Sequence, residues 1–326
     1  MLRFFNNNQL HTALFVILSA LPFLLTKFDF QDNAAIVEPQ FYEYINQNKS
    51  FAFAIFALVL FVQAFWLNYL INFYRIGKKS SYYTAIIFLL LTLSFDVDKA
   101  ISPSLLSNLL IIAALQQFFK VYDNKNTVKE VFNAAFLCSM AVILNPETLL
   151  YLLFAIAAWL KVRSFTTKEF VILLLGLIVP FYLFGTYMYL NDKLFESFTY
   201  LTGHLGRIDT LIKPDLFFWI SISGIGLLAL LSIINYSGIK AKTNIREQKY
   251  IDLTFFLLFF SSLFWIVNSK IDMDSLRMLV LPLSIFISLN LQAIKNQRLC
   301  ELQFFILIAI AIISNYGEQI FGIFGL

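Results

Sequence analysis

Four side chains hold most of the chemistry that this sequence offers. Asp29, Asp32 and Glu38 sit in KFDFQDNAAIVEPQFYEYINQ, directly after an apolar run. An acid at a membrane exit is partly desolvated. Its pKa is pushed toward neutrality, which suits a general base acting on a lipid-borne acceptor. Glu43 follows in the same stretch, flanked by Tyr42 and Tyr44. The fourth is Arg277, which opens the apolar run SLRMLVLPLSIF. A planar guanidinium with paired donors fits the oxygens of a phosphate. Lys270 lies just before it and is a second cation for the same anion. Asp272 and Asp274 stand between the two and are the local alternative partners for Arg277.

Three further segments are candidates. In FDVDKAISPSLL, Asp96 and Asp98 have the D-x-D spacing at which alternating carboxylates can share a divalent cation, while Lys99 can neutralise them instead. Ser102 before Pro103 in that segment is a helix start, since serine caps and proline fits the first turn. His204 and Arg207 stand with Asp209 and Lys213 in a polar stretch that suits substrate contact or plain solvation. In LNPETLL, Asn145, Pro146 and Glu147 read as a tight turn into a helix, with the acid at its positive end. The two histidines, His11 and His204, are far apart, and Cys138 and Cys300 lie in or beside apolar runs. Neither a zinc site nor a disulfide framework is indicated. No cofactor is expected beyond the divalent cation that the D-x-D spacing would accept.

The elements that must position these residues follow from composition. The chain is 60% hydrophobic and 13% charged, with a mean hydropathy of +0.76. Soluble domains have about 45–50% apolar and about 25% charged residues. The expected fold is therefore all-α, a polytopic transmembrane helical bundle forming one domain over 1–326. Apolar runs fall at 12–26, 51–73, 82–95, 104–119, 131–145, 148–160, 170–190, 216–236, 251–268, 278–294 and 302–321, which is about eleven spans. Several central runs are shorter than the about 20 residues of a perpendicular span, so 102–160 suits short, tilted or re-entrant helices. The first run carries Arg3, Ser19 and Ala20 as a signal peptide would, but Pro22 and the continuing PFLL favour an uncleaved span.

The connections alternate in charge. One set holds Arg75, Lys78 and Lys79; Lys120, Lys125 and Lys129; Lys161, Arg163 and Lys168; Lys240, Lys242, Arg246 and Lys249; Lys295 and Arg298. The other set is acidic or mixed, and its longest members are 27–50 and 191–215. The positive-inside rule puts the N-terminus and the basic set in the cytoplasm. Arg277 then opens its span on the outer side, against both the flank rule and the helix dipole. The net charge of +4 gives no basic patch for nucleic acid. A transporter would need ionisable groups inside its spans and matching halves. The runs hold mainly Gln63, Asn68, Asn72, Asn133 and Glu130, and no repeat is visible.

The layout resembles the C-type superfamily of membrane glycosyltransferases, which use polyprenyl-phosphate-linked sugars. RMLVLPLSIF at 277–286 is similar to a late span opened by arginine in a pattern like R-Y-L-L-P-L-x-P. SPSLLSNLLIIAAL at 102–115, NPETLLYLLFAIAAWL at 145–160 and KEFVILLLGLIVPFYLFGTYMY at 168–189 look like that family's fourth, sixth and seventh helices. The resemblance implies a catalytic base at Asp29 or Asp32, with Glu38 as the rival. It implies a second acidic motif at Asp96 and Asp98, and a lipid-phosphate ligand at Arg277. Met278 stands where the pattern has an aromatic, and the first loop lacks an adjacent acid pair. The chain is also similar to polytopic inner-membrane proteins of Bacteroidota. That resemblance implies a bacterial inner membrane and a degenerate member of the fold that no longer transfers sugar. The alternative function is a non-enzymatic subunit bound to a cell-envelope protein, which needs only a stable bundle and a partner-facing surface.

Overall fold

The computed structural model describes residues 10–24, 49–77, 80–95, 102–123, 127–195, 198, 201, 216–267, 273–294 and 296–324. Among the described residues all regular structure is helical. The physical reason is that backbone N–H and C=O groups in an apolar medium must be paired within their own segment. The helices are α1 (Leu10–Leu24), α2 (Lys49–Phe73), α3 (Tyr83–Phe95), α4 (Pro103–Asp123), α5 (Val128–Leu144), α6 (Leu150–Val162), α7 (Thr167–Leu190), α8 (Leu216–Ile234), α9 (Tyr236–Lys240), α10 (Ile245–Val267), α11 (Met273–Ala293) and α12 (Gln297–Phe324). A 3-10 turn, Pro146–Thr148, leads into α6.

Each apolar run in the sequence corresponds to one long helix, and the five-residue α9 is the addition. Among the described residues, five helices are long and apolar enough to cross a membrane: α2, α4, α7, α11 and α12. That fits a membrane protein. Several helices overrun their apolar segments. α10 starts at Ile245, not 251, and α12 starts at Gln297, not 302. The added residues, among them Arg246, Glu247, Gln248 and Lys249, are good helix formers, so the hydrogen-bond ladder continues past the point where apolarity stops.

The centre of the bundle is α3 against α11, with α1, α2 and α12 also packed on α3. Every side chain from Thr84 to Ser94 is buried. A helix that is apolar all round is enclosed by protein or faces lipid, and α3 is enclosed by protein. Its 13 residues span only about 20 Å, well short of an about 30 Å hydrocarbon core. Its hydroxyls close on the helix itself: Thr92 donates to the Phe88 carbonyl at 2.8 Å and Ser94 to the Leu90 carbonyl at 2.6 Å. Thr84 reaches Ser288 of α11 at 3.0 Å.

The long helices alternate in direction, so two ends can be distinguished. α4 and α11 begin at one end, beside the Asn145 turn. α6 finishes and α10 begins at the other, where Lys161 meets Asp252. These are called the Arg277 end and the Asp252 end.

Candidate functional site

Arg277 is buried, with 3% of its surface exposed, in the first turns of α11. Its Nη1 donates to the Ser102 hydroxyl at the start of α4. Ser102 Oγ also accepts from the Leu105 N–H at 3.3 Å, so the cap expected of this serine is formed. The backbone carbonyl of Arg277 accepts from Asn108 Nδ2 at 3.0 Å. Pro282 lies inside α11 and supplies no N–H to the Met278 carbonyl, which loosens the ladder beside this contact. Arg277 is therefore fixed at both its side chain and its main chain by one neighbouring helix.

Other polar side chains gather on the same end of α4. Asn145 Nδ2 donates to Ser104 Oγ at 3.0 Å, and Asn145 Oδ1 accepts from the Glu147 N–H at 3.2 Å. The turn expected at Asn145–Pro146–Glu147 is thus present and tied to α4. Gln63 of α2 donates to the Leu105 carbonyl at 2.5 Å. Met278, which replaces the aromatic of the family pattern, is fully buried. Its sulfur lies 3.8 Å from Ser107 Oγ and 3.7 Å from the Tyr151 hydroxyl. Two buried acceptors in this cluster, Gln63 Oε1 and Asn108 Oδ1, have no hydrogen-bond partner among the described residues. The N-termini of α4 and α11 meet here as well, and helix N-termini favour anions.

Of the residues expected at the site, Arg277 is the described one. Asp29, Asp32, Glu38, Asp96, Asp98, His204, Arg207 and Lys270 lie outside the described residues, as do Asp272 and the side chain of Asp274. The partner observed for Nη1 of Arg277 is a serine on another helix. Among the described residues no three His, Cys, Asp or Glu side chains gather as a metal site.

A family model matches residues 4–322. The chain belongs to DUF6427, a family of unknown function. No curated protein and no solved structure matches it.

The opposite end of this DUF6427 chain holds groups that sequence reasoning missed. Asp252 in α10 pairs with Lys240 at 2.6 Å and with Lys161 at 3.2 Å, and it accepts from the Tyr236 hydroxyl. Glu169 of α7 pairs with Arg163 at 3.2 Å and accepts from Thr127 at 2.7 Å and from Trp159 at 3.2 Å. Lys161, Arg163 and Lys240 read from the sequence as topology markers, yet they are ion-pair partners. The available signal was a lone acid at the head of an apolar run: Asp252 in YIDLTFF and Glu169 in KEFVILL. Likewise Ser104, Ser107 and Asn108 follow i, i+3, i+4 spacing, which marks one polar helix face.

Proposed function

We propose that the chain is a multi-pass protein of about eleven spans in a bacterial inner membrane. Its N-terminus and basic connections face the cytoplasm. It binds a polyprenyl-phosphate-linked sugar at the outer face and transfers the sugar to an acceptor. In that reaction an acid among Asp29, Asp32 and Glu38 takes the acceptor hydroxyl proton. The acceptor oxygen then bonds to the anomeric carbon as the bond to the phosphate oxygen breaks. Arg277, with Lys270, holds the leaving lipid phosphate, while Asp96, Asp98, His204 and Arg207 contact the sugar or acceptor. The observation that carries this reading is Arg277 itself. It is a buried cation at a helix N-terminus, locked by Ser102 and Asn108, where a second helix N-terminus also points. Such an arrangement is preorganised for an anion.

The test is sugar transfer by the purified protein and by Asp29→Asn, Asp32→Asn, Glu38→Gln and Arg277→Gln. Loss in one acid variant and in Arg277→Gln is expected. Full activity in all three acid variants sinks the acid assignment, and wild-type activity in Arg277→Gln sinks the phosphate assignment.

A second reading is a non-catalytic membrane subunit of a cell-envelope complex. It needs only a stable bundle and a partner-facing surface. Copurification of a stoichiometric protein partner, with no sugar transfer, would select this reading over the first.

A further inference from the structure

A groove with a cavity volume of about 450 Å³ opens between the N-terminal halves of α5 and α7, at the Asp252 end. That volume lies within the about 300–1,000 Å³ of small-molecule sites. Val128, Phe132, Ile172 and Leu175 give it apolar walls, and Lys129 and Asn133 add a cation and an amide. Lys168 lies one helical turn before Ile172 on α7, and Asn133 one turn after Lys129 on α5. Both lysines therefore sit toward the same end of the groove, where their helices start.

The groove is bounded by two contacts. Along α7, Ile172 and Leu175 fall between Glu169 and Gly176. Glu169 is clamped by Thr127, Trp159 and Arg163. At Gly176 the helices come close: a Cβ there would stand 2.7 Å from the Phe132 carbonyl oxygen and 2.8 Å from the Ala135 Cβ. Small residues allow such approaches between membrane helices.

The cations around the two carboxylates of this end are committed to other groups. Lys161 and Lys240 are committed to Asp252, Arg163 to Glu169, and Lys249 to the Lys161 carbonyl at 2.8 Å. Lys129 and Lys168 are exposed and have no ion pair among the described residues. Glu130 follows Lys129 but is half-buried and does not line the groove, as adjacent helical residues face different ways.

We propose that this groove holds one anionic phospholipid. Its phosphate sits between Lys129 and Lys168, and an acyl chain lies along Phe132, Ile172 and Leu175. Basic pockets between membrane helices serve this role for acidic headgroups. The site lies at the opposite end from Arg277 and does not depend on sugar transfer.

The experiment titrates the full chain in detergent with phosphatidylglycerol and with phosphatidylcholine, reading bound lipid by native mass spectrometry. Lys129→Gln is expected to weaken phosphatidylglycerol binding about fivefold and Lys129→Gln/Lys168→Gln roughly thirtyfold. Lys242→Gln, an exposed lysine away from the groove, leaves the affinity unchanged. Three results overturn the proposal: wild-type affinity in the double variant, an equal loss in Lys242→Gln, or phosphatidylcholine bound as tightly as phosphatidylglycerol. All three lysines are exposed, so folding does not confound the readout.

Discussion

The two ends of the bundle treat buried charge differently. At the Asp252 end, one carboxylate meets two ammonium groups and a phenol, and a second carboxylate, Glu169, meets a guanidinium, a hydroxyl and an indole N–H. Opposite charges a few ångströms apart cancel most of each other's field. These contacts therefore join α6, α7, α9 and α10 and do little beyond that. At the Arg277 end, the guanidinium Nη1 meets a serine hydroxyl, and the Arg277 backbone meets an asparagine amide. The Ser102 hydroxyl takes part in two contacts at once, as the acceptor of Arg277 Nη1 and as the cap of α4. The first arrangement fastens helices through ion pairs, and the second ties one arginine to a neighbouring helix through a hydroxyl and an amide.

Substitutions can break or sharpen that contrast. The largest effect is expected from Asp252→Ala, which leaves Lys161 and Lys240 facing one another without the carboxylate. Removing one member of a buried ion pair costs about 3 kcal/mol or more. The lysine side chains are 38% and 32% exposed and can turn toward water, which sets the loss at the lower end. It reads as a fall in the thermal unfolding midpoint in detergent, and an unchanged midpoint means that Asp252 is no fastener. Ser102→Ala comes next. It removes both the α4 cap and the Nη1 acceptor, with an expected loss of about 1 kcal/mol. Ser102→Thr restores a hydroxyl and should recover most of that loss. Failure of the threonine variant to recover would assign the effect to packing. The smallest effect belongs to Lys161→Met, which spares the 2.6 Å Lys240–Asp252 pair. A half-exposed ion-pair member contributes about 0.5 kcal/mol. A drop as large as that of Asp252→Ala would show that both lysines are indispensable.

Much of the architecture was legible in the sequence. The apolar runs located the long helices, because an uninterrupted apolar segment has no other way to pair its backbone in hydrocarbon. Ser102–Pro103 and Asn145–Pro146–Glu147 were legible as helix starts, since capping depends on neighbours within a few residues. The central position of α3 was not. Its 13 mostly apolar residues resemble a short span, and only its packing on α11, α12, α2 and α1 makes it a core element. The candidate site was legible at one point, Arg277, where a cation occupies a flank that the charge alternation keeps acidic. Its contact with Ser102 was not, because nothing in either segment refers to the other.

The sequence by itself determined that this chain is helical and apolar, where its helices lie, and that its connections alternate in charge. Those are local properties, set by runs of a few residues and by the period of the helix. The tertiary structure alone decided which polar groups meet. Ser102 and Arg277 are 175 positions apart, and Asn108 and Arg277 are 169 apart. Tyr236 and Asp252 come from different helices joined through a turn. A buried polar group is stable only with a partner in reach. Helix packing, not sequence proximity, supplies that partner.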